Sequence, residues 1–527
     1  MRPHQGSALL WYVPDTRPQP GYSAAVTRIP VPPAGERPQL ADAGRLAHKL
    51  LLRAVRTARS EDQPLRQVLL DHLGPSAATL PTVSDATPLY EQVNLQVGVE
   101  AWLAAEPGRE HDLIGITGVP QMRFNDVTIG DLIQTPPGSM FGNAGVGAPI
   151  TVNLPCGPDE QTRPCVSNGI YLVRDGEDRL AIMFKPAGLG MSRTEVNLQV
   201  IGASQDRAAE VLREIRSLAH ERSVFRGQVI SFGPEVFGPA TGSTPLTFLS
   251  RPSVTRSEIV LPEELLAGIE RQVAGIARHS GRLLASGQHL KRGVLLYGAP
   301  GTGKTHTVRY LLSRLPDVTV IAISGRALGQ IGEACSVART LQPAVIVVED
   351  VDLIAEERTA RPGEHPLLFQ LLNEMEGLNS AADVTFLLTT NRADLLEPAL
   401  AARPGRVDLA AELPLPDADA RRALLRLYQG NLMLDGVDLD PVIERTEGVT
   451  APFLRELLRK AALLAAEEDE AGPVSEGPDD APIRVTGAQL AAALDQLLGS
   501  QGQLTRVLLG GQRDQRPAGL ARGGGRG

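Results

Sequence analysis

Cysteine is close to absent. Three cysteines in 527 residues give no disulfide framework, which fits a reducing compartment. Cys156 and Cys165 bracket a loop rich in Pro and Asp, but no second pair stands nearby, so they read as unpaired thiols rather than a metal site. Long apolar runs are missing as well. The stretch ALLWYV at 8–13 is too short for a signal-peptide core, and no run approaches the roughly 20 residues of a membrane span. A cytoplasmic address is therefore expected. Aromatics make up only 4% and the net charge is −9, which argues against a basic, aromatic-studded surface for nucleic acid and against attraction to an anionic membrane.

What is present suits a soluble chain of about three domains. Residues 1–30 are rich in Pro, Gly and Arg without periodicity and are expected to be disordered. A mixed α+β domain follows over 31–250: LADAGRLAHKLLLRAVRTAR and DRAAEVLREIRSLAHERS carry helical spacing, while VTIGDLI, GIYLV, RLAIMF, EVNLQVIGA and FRGQVISF (225–232) read as strands. The glycine-rich PGSMFGNAGVGAP at 137–149 has no strand leading into it and no helix after it, so a mobile loop is expected there. Near 251 the pattern changes to short buried-strand candidates, RGVLLYG, VTVIAIS, AVIVVED and VTFLLTTN, separated by helical stretches. This is the signature of a doubly wound parallel sheet over 251–415. Beyond Pro416 the spacing is helical to 499, interrupted by an expected solvated acidic loop at 467–480. The Gly/Arg tail, 500–527, carries too little apolar surface to fold.

One strand runs directly into GAPGTGKT, that is Gly298, Ala299, Pro300, Gly301, Thr302, Gly303, Lys304 and Thr305, and a helical stretch follows. Glycines at this spacing let consecutive backbone N–H groups turn inward around phosphates, with the helix amino terminus adding partial positive charge. Lys304 is placed for the β and γ phosphates and the Thr305 hydroxyl for Mg²⁺. Residues 345–352, VIVVEDVD, then acquire a meaning. A phosphate loop needs an acid at the end of a neighbouring strand to hold the Mg²⁺ shell and a second group to orient the attacking water. Glu349 and Asp350 are placed to supply both.

From about 255 to 500 the chain resembles the AAA family of ring ATPases, in the branch that includes protein-remodelling motors. GVLLYGAPGTGKT resembles the family's Walker A segment and VIVVEDVD its Walker B; FLLTTNRADLLEPAL resembles sensor 1, RPGRVD the arginine-finger segment and LLNEMEGL the intersubunit loop. The resemblance implies ATP and Mg²⁺ as cofactors, with Thr305 and Glu349 on the metal. It implies Asn391 as the residue that senses the γ-phosphate and water, Arg403 and Arg406 as fingers reaching a neighbouring subunit's nucleotide, and Gly448 to Ala451 as the adenosine contact. It also implies a hexameric ring of identical chains, with a protein client engaged by the amino-terminal domain.

Two departures bear on mechanism. The family's usual order is Asp then Glu, whereas here Glu349 takes the metal position and Asp350, one methylene shorter, the water-polarising one. A shifted register would instead make Asp350 the metal-side acid and leave Val351 where the base should stand. In the segment 324–343, where threading motors place a pore aromatic, Gln330, Ile331 and Gly332 occupy the site and no aromatic occurs at all. The expectation is an ATP-hydrolysing protein-remodelling ring, with an ATP-gated scaffold of little turnover as the alternative and a nucleic-acid motor as a third.

Overall fold

The computed structural model describes residues 64–118, 127–134, 144–185, 195–232, 246–323, 325–352, 367–377, 379, 381–394, 406–434, 436–470 and 482–499. The expected amino-terminal segment, the helix over 40–59 and the Gly/Arg tail lie outside them.

The first sheet is antiparallel throughout. It comprises β1 (Thr82–Pro88), β2 (Glu110–Thr117), β3 (Gly145–Gly147), β4 (Ile150–Pro155), β5 (Thr162–Asp175), β6 (Asp178–Lys185) and β7 (Glu195–Ile201), ordered β1-β7-β6-β5-β2-β3 with β4 also on β5. Side chains alternate along a strand, and here both faces are covered. Ile170, Leu172, Ala181 and Met183 meet helices α1 (Leu65–Leu73) and α3 (Ile129–Gln134), a helix where VTIGDLI was expected to be a strand. Tyr171, Val173, Leu180 and Ile182 meet α2 (Gln92–Ala105) and α4 (Gln205–Glu221). Part of the glycine-rich stretch expected as a loop is β3, paired with β2 through Gly115↔Gly147 and Ile116↔Val146. The pairing gives the end of β2 a backbone partner that a free loop would have left to water.

The second sheet has β8 (Val229–Phe232), β9 (Leu246–Leu249), β10 (Arg292–Tyr297), β11 (Thr319–Ile323), β12 (Ala344–Val348), β13 (Val384–Thr390) and β14 (Leu409–Glu412), ordered β14-β10-β13-β12-β11-β8-β9. All neighbours are parallel except β9, which turns back antiparallel on β8. The Val/Ile runs are buried on both faces, as parallel strands require: Ile346 and Val348 enter one core, Val345 and Val347 the other. The strand expected at 225–232 exists, but it does not close the amino-terminal sheet. It pairs Val229↔Val320 and Ile230↔Ile321, extending the second sheet by a hairpin. The two sheets share a core in which Tyr90 and Val93 join Phe225, Phe232 and Leu246 to Ile323 and Ile331. The Tyr90 and Phe232 rings meet edge to face at 5.8 Å.

From β9 the chain runs as a strap along helix α6 (Lys304–Ser313), the helix that follows the phosphate loop. The Arg251 guanidinium donates to the carbonyls of Leu312, Leu315, Gly227 and Val318. The Ser313 hydroxyl donates to Val254 O at 2.7 Å, and a His306 ring nitrogen lies 3.2 Å from Glu258 O. A helix end leaves carbonyls without intrahelical partners, and Arg251 supplies donors to them. Arg251→Met removes four donors while keeping the aliphatic stem, so it is expected to cost about 1–3 kcal/mol. The denaturant midpoint would fall with an unchanged m-value.

Helices α7 (Ile331–Thr340) and α8 (Leu367–Gly377) cover one face of the second sheet, and Leu266 and Ile269 of α5 (Glu263–Glu270) the other. Beyond β14 come α9 (Ala418–Gln429), α10 (Asp440–Arg445), α11 (Ala451–Glu470) and α12 (Gly487–Leu498), which bury Leu425, Phe453, Leu457 and Leu494 in their own core. The acidic stretch expected as a loop from 467 is helical through Glu470. Its Ala/Glu composition favours helix, and the Gln489 side chain donates to Glu468 at 2.6 Å.

Candidate active site

β10 ends at Tyr297 and α6 begins at Lys304, so the intervening glycine loop sits at the carboxyl edge of the parallel sheet, the usual place for a ligand in such folds. Gly298 and Gly301 adopt φ of +146° and +81°, values that side chains resist. A Cβ on Gly298 would lie 2.4 Å from Leu413 O, and one on Gly301 3.0 Å from Thr450. The loop is thus gripped by the strand end on one side and by the helical part on the other. A cleft of about 750 Å³ opens here, lined by Pro300 to Thr307, Asp350 and Asn391, by Ile259 to Pro262 of the strap, and by Leu424, Tyr428 and Ala451 of the helical part. That volume lies within the range for a small-molecule site.

Lys304 is buried, and its ammonium donates to the carbonyls of Gly298 and Ala299, both at 2.9 Å. Burial lowers its pKa, opposed by the nearby carboxylates of Asp350 and Asp352. Glu349 stands just past β12, beside the Thr305 hydroxyl. Desolvation raises its pKa although the Thr305 hydroxyl pulls the other way, and the charge of Asp350 adds to the rise. Asp350 has a left-handed backbone, φ +52°, rare for a residue with a side chain and typical of strain held at working sites. Its N–H donates to Thr389 Oγ1 at 3.1 Å and its carboxylate accepts from Asn391 Nδ2 at 3.2 Å. Burial raises the pKa of Asp350 and the charge of Asp352 adds to it, while Lys304 and Asn391 pull it down.

The structure therefore brings together Gly298 to Thr305, Glu349, Asp350 and Asn391. Arg406 is elsewhere: it is buried, forms an ion pair with Glu376 of α8 and does not line the cleft, and among the described residues its Nη1 has no hydrogen-bond partner. Arg403 lies outside the described residues. Asp352, the last acid of VIVVEDVD, was given no role by its sequence, yet it is buried here. It accepts from Thr390 Oγ1 at 2.8 Å and from the Asn391 N–H at 3.2 Å, anchoring the turn that presents Asn391. Its spacing of two from Asp350, in a stretch already read as a site, was the signal that could have found it.

Residues 294–415 match the profile of the ATPase family associated with various cellular activities (AAA). The chain carries an AAA ATPase domain. Relatives include the ATP-dependent zinc metalloprotease FtsH of Mycobacterium tuberculosis, 34% identical over 252 residues, covering 45% of this chain and 31% of that protein. The proteasome-activating nucleotidase of Pyrococcus horikoshii is 30% identical over 274 residues, 49% of this chain and 65% of its own. The human ATPase family gene 2 protein homolog A is 34% identical over 232 residues, 41% and 26%. The chain thus spans between about a quarter and two-thirds of the length of these relatives.

AAA domains use ATP with Mg²⁺, and the donors here fit. Mg²⁺ favours one or two hard oxygen ligands from protein and completes its octahedron with water and phosphate. The Thr305 hydroxyl and the Glu349 carboxylate, which lie side by side, are oxygens of that kind and would hold the ion. Among the described residues no group of three His, Cys, Asp or Glu side chains is placed to hold a metal ion. No helix among the described residues is long and apolar enough to cross a membrane.

Proposed function

We propose that the chain is a Mg²⁺-dependent ATP phosphohydrolase that works in the cytoplasm as a hexameric protein-remodelling ring. The supporting observation is the arrangement at the phosphate loop: Glu349 beside Thr305 on one side, Asp350 accepting a hydrogen bond from Asn391 on the other. Both acid roles are then filled in the register that puts Glu349 on the metal. The backbone twist at Asp350 and its bond to Asn391 hold a short carboxylate toward the cleft, where a longer Glu would otherwise serve. Mg²⁺ held by Thr305 and Glu349 would supply neutralisation of phosphate charge. Lys304 exchanges its loop carbonyls for phosphate oxygens, Asp350 takes the proton of the attacking water, and Asn391 orients that water.

Threading through a central pore is not part of this proposal. Ile331, in the place of the apolar pore residue, is 2% exposed and sits in the core shared by the two sheets. Client recognition falls to the amino-terminal region, whose described part is the first sheet with its four helices. The ion pair between Arg406 and Glu376 favours one alternative, a scaffold in which ATP assembles the ring with little turnover because the finger is withheld.

The deciding experiment is steady-state phosphate release by the purified protein, with oligomeric state recorded with and without ATP. Turnover that rises with protein concentration as the ring assembles supports the motor. ATP-dependent assembly without phosphate release would leave only the scaffold.

A further inference from the structure

His306 ties the strap to the first turn of α6. Arg251 and Ser313 already fix the strap to the far end of that helix. At the near end the His306 ring nitrogen Nε2 lies 3.2 Å from Glu258 O, and because a carbonyl only accepts, Nε2 carries the hydrogen. The turn held there is braced from within. The Glu258 carboxylate accepts from the Thr255 N–H and hydroxyl at 2.6 and 2.7 Å, and Arg256 Nη1 donates to Ile259 O at 3.1 Å. Glu258 O is thus the point where the phosphate-loop helix meets a preformed turn, and that turn continues into a wall of the cleft. With the phosphates at Gly298 to Thr305, the remaining space is walled by Ile259, Val260, Leu261, Leu424 and Tyr428, apolar surface that suits a purine ring. The backbone N–H and C=O of Val260 have no hydrogen-bond partner among the described residues. Adenine offers an N6 donor where guanine offers an O6 acceptor, so a backbone donor and acceptor held at a fixed height beside the ring tell the two bases apart.

We propose that His306 is a positioning residue for base selection: by donating to Glu258 O it sets the height of the strap at Val260, and with it the preference for an adenine over a guanine nucleotide. His306 follows Thr305 directly in sequence, so the strap is registered against the same helical turn that takes the phosphates. A shift of the strap would then move the base wall relative to a triphosphate that stays where the glycine loop holds it. The proposal rests on nucleotide binding at Gly298 to Thr305 and is independent of whether the nucleotide is hydrolysed.

Isothermal titrations of the full chain with ATP, GTP and inorganic tripolyphosphate, each with Mg²⁺, would compare the parent, His306→Leu and His306→Gln, with the unliganded melting temperature as the check on folding. His306→Leu is expected to weaken ATP about 3- to 10-fold, the loss of one hydrogen bond, while GTP changes less and tripolyphosphate, which has no base, keeps its affinity. His306→Gln places an amide donor where Nε2 stands and should recover most of the ATP affinity and the preference over GTP. Unchanged ATP affinity in His306→Leu, or an equal loss for GTP or tripolyphosphate, would overturn the assignment. A parent that binds ATP and releases no phosphate, while His306→Leu narrows the preference for ATP, would sink the motor reading and leave this one standing.

Discussion

Lys304→Ala is expected to reduce ATP affinity by at least about 100-fold and to remove phosphate release with it. Two charge-assisted hydrogen bonds are at stake, at about 1.5–3 kcal/mol each, and every 1.4 kcal/mol is tenfold. The structure shows why this side chain is available for the exchange. Its ammonium is satisfied by two carbonyls of its own loop at 2.9 Å, while burial already disfavours its charge. Phosphate oxygens offer the same geometry with full negative charge, so little reorganisation precedes binding. Fold stability should change little in Lys304→Ala, because the loop conformation is set by glycines and by contacts to Leu413 and Thr450. Isothermal titration with ATP and Mg²⁺ gives the answer. Affinity within threefold of the parent would mean that the loop does not cradle the triphosphate.

The parts of this site that could be read from sequence are those whose determinants are local. Strand, glycine loop and helix follow one another within about twenty residues, so spacing alone identified Gly298 to Thr305. The acids of VIVVEDVD were placed because a buried strand has one exit. What escaped depends on partners distant in sequence. VISF at 229–232 has the pattern of a buried strand, but nothing local says which sheet it will join, and its partner Val320 lies about ninety residues on. Arg406 belongs to a motif that implies a finger reaching a neighbouring subunit, and nothing local shows that Glu376, thirty residues earlier, pairs with it within the chain.

Asp350→Asn is expected to lower turnover about 10²–10⁴-fold, the usual worth of a positioned general base, with ATP affinity within about threefold of the parent. The amide keeps the size of the side chain and its contact with Asn391 but cannot accept the water's proton. The same change should make the protein more stable at neutral pH. Burial and the charge of Asp352 hold the Asp350 carboxyl above its ordinary value of 3.8, so the folded state binds that proton more tightly than the unfolded chain does. The ionised form therefore opposes folding at pH 7, and this opposition vanishes as pH falls through the folded value. Asp350→Asn should melt about 1–3 °C above the parent at pH 7, the gap narrowing toward pH 4. A gain in stability joined to a loss of turnover is the mark of a strained catalytic acid. Loss of both would assign Asp350 to structure, and parent-like turnover would return the base role to another group.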